Sequence, residues 1–143
     1  MISEQEINKG MMVLKIIWSA ILVSLAVYLV VGRMIAPGLP PVMDSGSFAM
    51  LRLALYALGF ATLVASRHVK KLVLARPAPA MQRYTSAVIV SLAMCESIGI
   101  FGLVLFIIGR DPADFYLLLG VSAAAVVYYR PRKEELAGLD AGN

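Results

Sequence analysis

Apolar residues in this chain come in long, nearly unbroken runs rather than in the one-sided periodicity of an amphipathic element. Crossing hydrocarbon takes about 20 apolar residues in a helix, and four segments approach that length: roughly 11–32, 48–66, 84–109 and 112–129. The polar intervals between them differ in kind. Between the first two segments, RMIAPGLPPVMDSGS is rich in proline and glycine and cannot continue a helix, which predicts a loop. Between the second and third, residues 67–83 gather Arg67, His68, Lys70, Lys71, Arg76 and Arg83. The third interval, GRDPADF, leaves room only for a tight hairpin, with Asp111 as helix cap, Pro112 in the first turn and Asp114 near the positive end of the helix dipole.

This pattern predicts an all-α protein, a single membrane domain over 1–143 made of a four-transmembrane-helix bundle. Lys and Arg favour the cytoplasmic side of a membrane. The basic 67–83 loop and the short tail 130–143, with Arg130, Arg132 and Lys133, are therefore expected inside, and an even number of crossings places both termini there. The N-terminal MISEQEINKG lacks the basic start and cleavage site of a signal peptide, so the first segment is expected to be retained. Trp18, Tyr128 and Tyr129 fall where interfacial aromatics sit.

Composition narrows the class further. With 60% hydrophobic and 15% charged residues among 143, the chain could not hide its apolar side chains in one water-soluble core. The net charge of +4 comes from residues beside apolar segments, which argues for topology and against nucleic acid. One cysteine, Cys95, and one histidine, His68, provide neither a disulfide nor a metal-ligand set. No nucleophile–base pair or phosphate loop is present, so a protein without cofactor or enzymatic activity is expected. The expected setting is a bacterial inner membrane, with the lipid bilayer as first partner and a homo-oligomer or a membrane complex as a further one.

One residue does not belong to the apolar pattern. Glu96 lies midway along the third segment, about 18 Å from its inner end at 1.5 Å per residue. A charge at that depth costs roughly 2.5–3.5 kcal/mol on insertion scales, so such a carboxyl is expected to be protonated, paired or turned toward protein. Small residues at Ala87, Ser91, Cys95, Gly99 and Gly102 make a smooth stripe on the same helix, and Ala57, Ala61 and Ala65 make a second stripe on the segment before it. Two such faces predict close packing of segments two and three. By depth, Tyr56 and Thr62 are the polar groups expected to reach Glu96, with Ser97 beside it. Arg52 reads as an outer-interface anchor and Lys15 as a snorkelling residue.

Ala75-Arg76-Pro77 in the basic loop, followed by MCESIGIFGLVL over 94–105, resembles the hairpin of subunit c of rotary ATP synthases. That proteolipid forms membrane rings and carries one ion per carboxylate. The resemblance covers about 48–109 and implies a proton-binding role for Glu96 and a loop role for Arg76. The family's loop glutamine and the glycine run of its first helix have no counterpart here. The alternative is a structural or accessory membrane subunit in which Glu96 makes only interhelical hydrogen bonds.

Overall fold

The structure is a computed structural model that describes residues 4–35, 40 and 42–141. Those residues form five helices: α1 (Glu4–Met34), α2 (Ser45–Leu74), α3 (Ala80–Gly109), α4 (Pro112–Tyr128) and α5 (Lys133–Ala141). Their ends follow from local chemistry. Asp44 caps α2 by accepting from the Ser47 amide at 2.9 Å, and Asp111 caps α4 by accepting from the Ala113 amide at 2.9 Å, with Pro112 opening the helix. At the end of α3 the chain turns through Arg110 at φ 60°, whose amide returns to the Phe106 carbonyl at 2.9 Å. This left-handed residue lets α4 double back along α3, as the hairpin reading requires.

Two boundaries differ from expectation. The basic stretch after the second apolar segment is mostly helix, because nothing between Arg67 and Leu74 breaks one, and only Ala75–Pro79 connects α2 to α3. A helix stops at a breaker, not at the edge of hydrocarbon. The C-terminal tail likewise forms the short helix α5, held by the fully buried Leu136. In the first connection, residues 36–39 and 41 lie outside the described residues, while the Val42 amide reaches the Ile108 carbonyl at 3.0 Å.

α3 is the central helix: 44% of its most apolar window is buried, against 11% in α1 and 6% in α2. Leu92, Leu105 and Val88 of α3 meet Met11, Leu14 and Leu25 of α1 and Phe115, Leu118 and Leu119 of α4. The outward sides of α1 and α2 carry exposed large apolar residues, among them Val23, Val30, Met50, Leu53 and Phe60. α1, α2 and α3 are each long and apolar enough to cross a membrane; α4, with 17 residues, is apolar but shorter.

The small-residue stripe of α3 is used, though not against α2. Ala87, Ser91, Cys95, Gly99 and Gly102 are all buried. A Cβ added at Gly102 would lie 2.9 Å from the Leu118 Cβ and 3.2 Å from the Phe115 carbonyl oxygen, both on α4; one added at Gly99 would lie 2.9 Å from a Leu25 methyl on α1. The expected partner stripe on α2 points away instead, with Ala57 and Ala61 exposed and Ala65 half-buried. α2 packs through Leu51, Leu55, Gly59 and Leu63, on the opposite side of the helix from those alanines.

Candidate functional site

The mid-depth carboxylate finds its partners on α1. Tyr28 donates its hydroxyl hydrogen to Glu96 Oε1 at 3.0 Å, and Ser24 Oγ is hydrogen-bonded to the same oxygen. Ser24 and Tyr28 are four residues apart, so they project from one face of α1. Glu96 is only partly buried, and its Oε2 takes no hydrogen bond, nor is it among the sealed, unpartnered oxygens. Among the described residues, α1 therefore bonds one of the two carboxylate oxygens.

Ser24 has one hydrogen and two acceptors within reach, since its Oγ also lies 3.1 Å from the Ile21 carbonyl oxygen. When Ser24 donates to Glu96, the carboxylate receives two hydroxyl hydrogens, one from Ser24 and one from Tyr28. When Ser24 donates to Ile21, its lone pairs are free to accept from a protonated Glu96. The same three side chains thus satisfy the carboxyl in both protonation states.

The residues expected around Glu96 are placed elsewhere. Tyr56 donates to Asp114 Oδ1 at 2.8 Å, Thr62 bonds back to the Leu58 carbonyl at 2.8 Å, and Ser97 to the Met94 carbonyl at 2.7 Å. Arg76 sits in the α2–α3 connection, exposed, its carbonyl accepting from the Ala78 amide at 2.9 Å. Cys95 is buried, and its backbone carbonyl accepts from Ser122 Oγ at 2.7 Å, tying α3 to α4.

A second polar cluster was not foreseen. Asp114, only 1% exposed, faces α2 and receives an Arg52 guanidinium hydrogen at 2.7 Å besides the Tyr56 hydroxyl, both on Oδ1; its Oδ2 is buried without a partner. Of the two acidic residues at this turn, Asp111 caps and Asp114 bridges helices. This cluster also fixes the rotation of α2: with Arg52 and Tyr56 turned to α4, the alanines at 57, 61 and 65 must face outward. At the opposite end, Ser66 and Tyr129 share a buried hydrogen bond of 3.0 Å that sets the same rotation.

The basic end of the bundle is fastened by aromatics. Trp18 donates to the Val126 carbonyl at 2.9 Å, linking α1 to α4. The fully buried Tyr84 hydroxyl donates to the Arg132 carbonyl at 2.9 Å and accepts from the Arg132 amide at 2.8 Å, which fixes where α5 begins. Among the described residues no group of three or more His, Cys, Asp or Glu is arranged to hold a metal ion. Compared with known protein families, with curated proteins and with solved structures, the chain finds no match in any of the three.

Proposed function

We propose that this chain is a small polytopic membrane protein whose α1–α3 contact holds a proton-binding carboxyl at mid-depth, with the basic end of the bundle on the cytoplasmic side. The observation that carries the reading is the Ser24–Tyr28–Glu96 group, which satisfies the carboxyl with or without its proton. A carboxyl that only cemented two helices would need just one of those arrangements. Interhelical hydrogen bonds in membranes contribute about 0.6 kcal/mol on average, too little to offset the cost of keeping a carboxyl at that depth.

Support for the orientation comes from charge. α1 begins, α2 ends, α3 begins and α4 ends at one side of the bundle, and that side collects Arg67, Lys70, Lys71, Arg76, Arg83, Arg130, Arg132 and Lys133. The sequence of α2 and α3 resembles the hairpin of subunit c only in part, and the hydroxyls that hold the carboxylate come from α1, outside that hairpin.

The test is infrared difference spectroscopy of the chain in lipid, titrated in pH, with hydrophobic carbodiimide labelling alongside. A protonated-carboxyl band that disappears as pH rises, is missing in Glu96→Gln, and parallels a fall in Glu96 labelling is expected. A band that persists across the whole accessible pH range would sink the proton-exchange reading and leave the structural one.

A further inference from the structure

At the basic end, α2, α4 and the start of α5 enclose a cleft of about 890 Å³ whose chemistry changes along its length. Its upper wall is apolar and faces outward, with Phe60 70% exposed and Val64 43% exposed. Its lower rim holds four cations, Arg67, Lys70, Lys71 and Arg132, against one carboxylate, Glu135. Leaving His68 aside, the lining carries a net three positive charges.

These cations are not equivalent. Lys70 is committed, bonded to Glu135 at 2.8 Å with its ammonium 5.6 Å from the Tyr129 ring. Arg67, Lys71 and Arg132 have no carboxylate within ion-pairing distance among the described residues. Arg67 lies against the Tyr128 ring at 5.9 Å, and the backbone of Arg132 is clamped by Tyr84, so both are presented from fixed points. From Phe60 to Lys71 along α2 is about 16 Å, the step from acyl chain to headgroup level in a bilayer.

We infer that this cleft binds one anionic glycerophospholipid, its phosphate on Arg67, Lys71 and Arg132 and an acyl chain along Phe60 and Val64. A soluble phosphate would use the rim and leave the apolar wall without a role. A neutral phospholipid would leave the net positive charge uncompensated. The inference rests on the bilayer reading of α2 but not on the chemistry of Glu96.

Native mass spectrometry of the full chain in non-ionic detergent tests it, with phosphatidylglycerol and phosphatidylcholine of matched acyl chains as probes. Phosphatidylglycerol is expected to be retained preferentially, and Arg67→Gln or Lys71→Gln each to weaken that retention about five-fold. Lys9→Gln and Arg33→Gln, which remove cations outside the cleft, are expected to leave it unchanged. Circular dichroism is the control that the variants keep their helices, and a photoactivatable acyl chain should crosslink near Phe60. Equal retention of the two lipids, or Arg67 and Lys71 variants that bind as the parent does, would overturn the inference. So would displacement by millimolar inorganic phosphate, which would make the ligand a soluble anion. Alkaline extraction tests the bilayer reading separately: a chain that stays with membranes yet prefers neither lipid loses this site alone.

Discussion

Asp114 brings an ionised-group partner, a phenol and an unpartnered oxygen together one turn inside the α3–α4 hairpin. Removing the carboxylate leaves Tyr56 without an acceptor, while Arg52, 47% exposed, can turn toward the outer surface. The cost of Asp114→Ala should therefore fall short of the 3–5 kcal/mol expected when a fully buried partner is stranded, at about 1–2 kcal/mol. Tyr56→Phe should cost about 1 kcal/mol, and the two changes together less than their sum, because each removes the same bond. Reversible detergent unfolding followed by circular dichroism measures this; strictly additive losses would mean that the bond contributes nothing. The depth of Glu96 was legible from a residue count, but its partners were not. Ser24 lies about 20 Å from the inner end of its segment, the same depth as Glu96, and with Tyr28 it forms a polar pair four apart. That signal was present in α1. Depth alone does not say which neighbouring helix supplies a partner, and Tyr56 lies outward of Gly59, which meets Ile98 and Phe101, so that it reaches Asp114 and not Glu96.

Helix existence is read well from apolar runs, whereas helix length and rotation are not, because a helix runs on to its breaker and a span surrounded by lipid has no polar face to orient it. The α3 stripe was recognised from its spacing and is buried; the α2 stripe has equally good spacing and faces out. Polar bonds at Arg52, Tyr56 and Ser66 decide between the two outcomes, and they depend on partners distant in sequence. The α3–α4 contact gives a sharp test at the level of the element. Gly102→Ala would put a methyl group 3.2 Å from the Phe115 carbonyl oxygen, which is backbone and cannot rotate aside. A loss of about 1–3 kcal/mol is expected. Gly120→Ala, where a Cβ meets nothing within 4 Å, should be neutral or gain up to about 1 kcal/mol from helix propensity. Both are read from thermal unfolding in detergent. Equal stability of the two variants would mean that α3 and α4 do not approach as closely as their glycine contact requires.

At the scale of the whole molecule, the arrangement of charges and the number of crossings must agree. The short helix is α4, whose 17 residues span about 25 Å against the roughly 30 Å of hydrocarbon in a bilayer. Its contacts nevertheless run it the full length of the bundle beside α3. Trp18 bonds Val126 near its end, and Tyr84 holds Arg132 just beyond it, so α4 returns to the side on which α3 begins. A bilayer can thin slightly around a short span at modest cost. Single cysteines introduced by Ser45→Cys, Gln82→Cys and Glu134→Cys report the outcome, since all three positions are exposed and the native Cys95 is fully buried. With a membrane-impermeant maleimide on intact cells, the position at 45 should label at once, and those at 82 and 134 only after the membrane is opened. Labelling at 134 from the same side as 45 would mean that α4 does not cross, and would separate α5 from Lys70, with which Glu135 pairs. Labelling of 45 and 82 from one side would remove α2 from the bilayer, and with it the lipid-facing role of Phe60 and Val64. Opposite exposure of 45 and 82, with 134 following 82, is the one pattern consistent with the contacts that join all five helices.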